Sequence, residues 1–215
     1  SDILVLLAHP RLEHSRVSRA LLGAARRAAQ AGAPVAVRDL YALYPDYVVD
    51  VAAEQAALDA ARLVVWVHPV HWYGMPPLLR LWQDEVLAFG WAYGGGEALR
   101  DKSLWLVTST GGGPESYRSD GYNRHDFADF LPPYTQTAAL CGLCWQPPMV
   151  LHGAHRISDA ELGAFAERFG QRLTDWPDGA AWRAPGDAAA DRCAVPVDAR
   201  PKPPPAGEWP QVKPD

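Results

Sequence analysis

The sequence predicts an α/β fold, a doubly wound five-stranded parallel sheet in the order 2-1-3-4-5 with helices on both faces. Three observations carry this expectation. Strand and helix signals alternate along the chain, and the strand segments are unbroken apolar runs, as strands covered on both faces must be. Five such units succeed one another before the pattern stops.

Ile3 to Ala8 reads as the first strand. Ser15 to Ala31 follows as a helix, with Val17, Leu21, Ala24, Ala25 and Ala28 on one face and Gly32 at its end. Val35 to Leu40 is the second strand, Ala52 to Ala61 a short helix, and Leu63 to Val67 the third strand. Pro77 to Phe89 is a helix with Pro in its first turn, where a missing N–H costs nothing. Ser103 to Thr108 is the fourth strand. Beyond a long loop, Phe127 to Leu143 is partly helical, with Pro132-Pro133 breaking or restarting the helix. Trp145 to His152 is the fifth strand, and Ser158-Asp159-Ala160-Glu161 is a capping box opening a last helix to about Asp175.

Residues 1–176 are expected to form one domain. Residues 177–215 hold nine of the twenty prolines, show no periodicity and favour extended chain at Pro201-Lys202-Pro203-Pro204-Pro205. They read as an appendage outside the core: a mobile tail, with packing through Trp182 or Trp209 as the alternative.

Composition narrows the function. The net charge of -5 argues against nucleic acid or an anionic membrane, both of which reward clustered Lys and Arg. No apolar run approaches the roughly 20 residues that cross a bilayer, and the start lacks the basic region of a signal peptide. Cys141, Cys144 and Cys193 are too few for a disulfide framework, so the expected compartment is cytoplasmic. Cys141-Gly142-Leu143-Cys144 has redox-motif spacing but sits late in a helix-like segment, where small packing residues are expected. Nine tryptophans exceed what the core requires, and several fall in loops, where apolar rings meet ligands.

Open α/β sheets bind ligands beyond the carboxyl ends of their strands, where strand order reverses. The loop after the first strand, His9-Pro10-Arg11-Leu12-Glu13-His14-Ser15-Arg16-Val17-Ser18, enters a helix whose first turn carries hydroxyls and arginines. Ser15 and Ser18, with His9 or Arg16 beside them, suit a phosphate at the positive end of the helix, although Ser15 also serves as a plain N-cap. The third-strand loop, His68-Pro69-Val70-His71-Trp72-Tyr73-Gly74-Met75-Pro76-Pro77, is stiff and aromatic, as a planar ligand requires. His68 and His71 lack a third ligand at suitable spacing, so no metal is expected. The fourth-strand loop, Thr108-Ser109-Thr110-Gly111-Gly112-Gly113-Pro114-Glu115-Ser116-Tyr117, lets a flat ring approach the backbone closely, and its glycines tolerate positive φ.

Together these loops resemble the flavodoxin-like NAD(P)H:quinone oxidoreductases, and in particular the quinone-reductase-like ancillary subunits of bacterial glutathione-gated potassium efflux systems. The resemblance runs from about Ile3 to Trp176. It is carried by Ala8-His9-Pro10 with Ser15, Asp39-Leu40-Tyr41, and Ala53-Glu54-Gln55 through Trp66 and Pro69-Val70-His71-Trp72-Tyr73 to Pro76-Pro77-Leu78-Leu79. Gly90-Trp91-Ala92-Tyr93-Gly94 and Thr110-Gly111-Gly112 complete the set.

The resemblance implies a flavin, FMN or FAD, with NAD(P)H as co-substrate and a quinone or similar small electrophile as acceptor. His9, Ser15, Arg16, Val17 and Ser18 would hold the flavin phosphate. Pro69, Val70, His71, Trp72 and Tyr73 would line one side of the ring, and Thr108, Ser109, Thr110, Gly111 and Gly112 its other edge. Tyr117 would stand near N1/O2, with Tyr117 and His125 as the catalytic pair. Tyr93 would cover the substrate pocket from the partner subunit of a homodimer. The chain departs from the family at Ser18, often Asn, and at His71, often Gln. His125 lies two residues from where the family's catalytic histidine falls, at about Asn123, and the Thr108–Thr110 loop is one residue longer. Activity is expected as two-electron hydride transfer in a ping-pong cycle. The alternative is a regulatory ancillary subunit on a potassium efflux channel, peripheral to the inner membrane through that partner. A one-electron flavodoxin carrier ranks below both, because the chain lacks that class's Ser/Thr/Gly-rich phosphate loop and strongly acidic surface.

Overall fold

A computed structural model describes residues 1–179 and Trp182. Five parallel strands, β1 (Ile3–Leu7), β2 (Val35–Asp39), β3 (Leu63–Pro69), β4 (Ser103–Ser109) and β5 (Cys144–Leu151), form one sheet in the order β2-β1-β3-β4-β5. Ile3 stands opposite both Val35 and Leu63, and Leu63 opposite Ser103, so the inner strands are in step. Adjacent residues of β1 face opposite sides, and both sides are covered, which is why its run is apolar without interruption.

On one face Leu4, Leu6, Val64, Trp66, Leu104 and Leu106 pack under α4 (Pro77–Val86) and α5 (Pro132–Cys141). On the other, Ile3, Val5, Val65, Trp105 and Val107 pack under α1 (Arg16–Gln30) and α6 (Asp159–Thr174). Two further helices, α2 (Leu40–Leu43) and α3 (Val51–Asp59), complete the set, each capped by an aspartate, Asp39 or Asp50. The α2 turn is too short to show a period in sequence. Pro132 and Pro133 start α5 at its first two positions, after a separate 3-10 turn over Phe127–Phe130. Pro147 and Pro148 are tolerated in β5 because it is an edge strand, and the pairing register slips opposite them between Trp105 and Val107.

Trp66, Trp82 and Trp105 are fully buried in the two cores, so part of the tryptophan excess is packing. Trp182 is buried as well. Its ring meets Trp105 and Trp176 edge-on at 4.9 Å, Arg172 lies 4.3 Å over it, and its indole N–H donates to the Arg172 carbonyl at 2.8 Å. Residues 180, 181 and 183–215 lie outside the described residues, and with them the polyproline stretch, Trp209 and Cys193. Among the described residues no helix is long and apolar enough to cross a membrane.

Candidate functional site

At the carboxyl ends of β1, β3 and β4 three loops are stapled to one another by backbone bonds. Ala8 donates to Val67 at 2.9 Å, Val70 to Ser109 at 2.8 Å, Thr110 to Leu151 at 2.9 Å and Ala154 to Thr110 at 2.9 Å. Between them lies a cavity of about 340 Å³, lined by His9, Arg11, His14, Ser15, Arg16 and Val17 from the first loop and helix, Pro69 and His71 from the second, Ser109, Thr110 and Gly111 from the third, and Ala154 and His155 beyond β5. Among the described residues no carboxylate lines it.

The floor of this cavity is the start of α1. Ser15 caps it, its hydroxyl accepting from the Ser18 N–H at 3.0 Å, which leaves the N–H groups of Arg16 and Val17 turned outward at the positive end of the helix. His9 is held by its neighbour: its Nδ1 accepts from the Arg11 N–H at 3.1 Å, so the ring is the Nε2–H tautomer, a neutral donor. His71 meets His9 edge-on at 5.9 Å. Burial first, and then each other's proximity, pushes the His9 imidazole down, and burial does the same to His71. An anion held by neutral N–H donors at a helix start is what this end can accommodate.

A second group of side chains adjoins it. Tyr117 is ringed by Phe127 at 5.4 Å, Phe130 at 5.9 Å and His152 at 5.2 Å. Tyr73 stacks on Phe130 at 5.4 Å and donates to Asn123 at 3.4 Å, which ties the third-strand loop to this cluster. Burial pushes the Tyr117 phenol up, partly offset by the Thr110 side chain. Trp72 and Tyr73 occupy a tight turn closed by reciprocal bonds between His71 and Gly74, both 3.0 Å, with φ of 49° and 63°. Trp72 is 96% exposed.

Several expected residues stand elsewhere. Arg16 gives its backbone N–H to the cavity, but its guanidinium is committed to Asp159 at 2.6 Å and to the Ile157 carbonyl, joining α1 to α6. Ser18 is buried at 2% exposure on the apolar face of α1, its N–H taken by Ser15. Thr108 is buried too, donating to the His68 carbonyl at 2.6 Å. Gly111, Gly112 and Gly113 do not use positive φ; they give room, since a Cβ on Gly111 would meet His155 at 3.3 Å and one on Gly112 would meet Ser116 at 3.1 Å. His125 is largely exposed, its Nδ1 3.5 Å from Asp129 and its ring edge-on to Phe130, so Phe130 stands between it and Tyr117. Tyr93 packs on Phe89 at 5.6 Å and lines a separate hollow of about 260 Å³ on the flank of α4 and α5. Cys141 and Cys144 are buried at the amino end of β5, away from the site.

Sequence reasoning missed Arg11, His14, Ala154 and His155 of the cavity lining and, beside the glycine turn, His152. His152 follows directly on β5, contacts Tyr117 and Phe127, and lies 2.9 Å from the Thr110 hydroxyl. Its place at the carboxyl end of a strand was the available signal.

Comparison with known proteins gives the family of the fold. The profile of a family described as flavodoxin-like fold matches residues 1–173. The glutathione-regulated potassium-efflux system ancillary protein KefF of Citrobacter koseri is 46% identical over 177 residues, covering 82% of this chain and 97% of its own. General stress protein 14 of Treponema denticola, solved in complex with FMN, is 36% identical with a TM-score of 0.72, covering 82% of this chain and 97% of its own. A chain described as a thermophilic tryptophan halogenase from Streptomycin violaceusniger is also 36% identical, with a TM-score of 0.73, covering 79% of this chain and 97% of its own.

Proposed function

The chain belongs to the flavodoxin-like fold family, and on that premise we propose that it is an FMN-dependent oxidoreductase that passes two electrons from NAD(P)H to a quinone or similar small electrophile. The names carried by similar chains differ, so the reading rests on the site itself. One observation carries it: a cavity at the start of α1 that no carboxylate lines among the described residues, continuous through Thr110 with a glycine turn and an aromatic cluster. That arrangement fits an anion joined to a flat ring, and the FMN-bound Treponema denticola relative favours FMN over FAD.

The N–H groups of Arg16 and Val17, the Ser15 hydroxyl and His9 would hold the phosphate. Pro69, Val70 and His71 would bound one side of the ring, and Ser109, Thr110, Gly111 and Gly112 the other. When bound, FMN would supply the two-electron redox chemistry between NAD(P)H and the acceptor, with the two expected to use the site in turn, in ping-pong order. Tyr117, kept protonated by burial, would donate to negative charge developing beside the glycine turn. Trp72 and Tyr73 would offer a face to the incoming substrate, and Tyr93 would reach the site of a second copy in a homodimer.

A second reading is favoured by the identity to KefF over nearly that protein's whole length: an ancillary subunit of a potassium efflux channel, placed at the inner membrane by that partner. One experiment separates the two. The protein is reconstituted with FMN, its absorbance recorded, and NADPH and then benzoquinone are added without oxygen. A flavin spectrum that bleaches and returns is the expected result. Bound FMN that neither NADPH nor NADH bleaches favours the ancillary reading, and no binding of FMN or FAD sinks both flavin assignments.

A further inference from the structure

We propose that His152 is a positioning residue of this site, one that fixes the glycine turn by donating from Nδ1 to Thr110; the proposal rests on the flavin reading above. The Thr110 hydroxyl lies 2.8 Å from the Gly112 carbonyl and 2.9 Å from His152 Nδ1. A carbonyl only accepts and a hydroxyl has one hydrogen, so Thr110 donates to Gly112 and His152 donates to Thr110. The imidazole is therefore the Nδ1–H tautomer, with its lone pair on Nε2. This is the reverse of His9, whose Nδ1 is the acceptor.

The bond fixes more than one side chain. The Gly112 carbonyl also accepts the Gly153 N–H at 2.8 Å, from the residue that follows His152. The Thr110 carbonyl accepts from Ala154 at 2.9 Å. Both carbonyls are thus turned toward the end of β5. Across a trans peptide the next N–H points the opposite way, so those of Gly111 and Gly113 point away from β5. Gly111 borders the cavity, and its N–H is free to serve a ligand there. The His152 ring also packs on Tyr117 at 5.2 Å and on Phe127 at 5.2 Å. It therefore ties the donor row of the turn to the tyrosine beside it. The charged groups nearby are Glu115, which opposes the effect of burial on His152, and Arg156, 3.3 Å from Glu115.

The test has two independent readouts. Long-range ¹H–¹⁵N spectra of labelled protein without FMN report which ring nitrogen of His152 carries hydrogen, and Nδ1–H is expected. FMN titrations then compare the wild type with His152→Asn, whose amide nitrogen reproduces the Nδ1 donor, and His152→Gln, whose amide falls at the Nε2 position. His152→Asn is expected to stay within about threefold of wild type and His152→Gln to weaken FMN by about tenfold, the loss of one part-buried hydrogen bond. Thr110→Val removes the same bond from its other end together with the bond to the Gly112 carbonyl, and should weaken FMN at least as much as His152→Gln. An Nε2–H ring, or His152→Gln binding as tightly as wild type, overturns the proposal. If the wild type itself fails to bind FMN, the flavin reading fails, and the ring spectrum still decides the bond between His152 and Thr110.

Discussion

Two polar regions of this molecule are built from similar residues and end in opposite states. Around Glu54, between α3 and α4, the side chains that reach the carboxylate close on one another. Glu54 is fully buried; its Oε1 accepts from Arg38 Nε at 2.7 Å and the Tyr44 hydroxyl at 2.5 Å, and its Oε2 from the Trp82 indole at 2.9 Å. At the carboxyl ends of β3 to β5 capacity is left over. His68 is buried and uses Nδ1 on the Pro69 carbonyl at 2.9 Å, but its Nε2 has no partner among the described residues. The starting N–H groups of α1 face a cavity, and Trp72 stands in solvent. Closed networks hold a fold in one arrangement, whereas polar groups with spare capacity mark where a ligand completes the set.

The comparison breaks most easily at Glu54. Removing one partner of a buried ion pair leaves the other uncompensated, at a cost of about 3–5 kcal/mol. Arg38 retains 24% side-chain exposure, so water can take it up, and Glu54→Ala is expected to cost about 3 kcal/mol, the low end of that range, in urea unfolding. FMN affinity of the folded protein should change by less than about twofold, because the network touches no cavity residue. A variant that keeps its stability, or one that loses FMN binding while folded, would make the two regions one.

His68 gives the next effect, through pH. Burial holds its imidazole down to about 4, below its ordinary 6.5. The unfolded chain therefore binds a proton that the folded chain refuses across that window. Stability contributed by neutral His68 is intact above pH 6.5 and is lost as pH falls toward 4, by about 1.4 kcal/mol per pH unit and about 3 kcal/mol in all. His68→Asn, which retains a donor for Pro69, should flatten that part of the profile. Equal slopes in the two proteins would mean that the ring is not buried neutral.

The closed region and the open one were unequally legible in the sequence. The parallel sheet followed from unbroken apolar runs alternating with helices, because strands covered on both faces show that pattern, and the order followed from five such units matching the doubly wound arrangement. Ser18 and Thr108 show what the runs also held. Ser18 shares the helical face of Leu21 and Ala25, and Thr108 continues the β4 face of Leu104 and Leu106, so both turn inward. Reading them as ligands weighed residue type above parity. His152 is hidden for the converse reason: the sequence shows it only as the last residue of a strand, although that position is where ligands meet the sheet. The closure of Glu54 by Arg38, Tyr44 and Trp82 depends on contacts between distant segments, and no spacing in the sequence announces it.

The smallest effect is the sharpest, because it asks whether the open region stores strain. Trp72 and Tyr73 both hold positive φ in a turn that ordinarily favours Asn-Gly, a conformation that costs bulky side chains of order 1 kcal/mol. Tyr73 is repaid by stacking on Phe130, but Trp72, at 96% exposure, gains no burial that would offset its cost. Trp72→Asn is therefore expected to raise the unfolding free energy by up to about 1 kcal/mol, since Asn tolerates that φ, while weakening quinone turnover. A gain in stability with a loss of activity would place the strain in service of the site. A loss of stability would mean that the indole is covered in solution, by a second copy or a partner, and that the region counted here as open is closed by assembly.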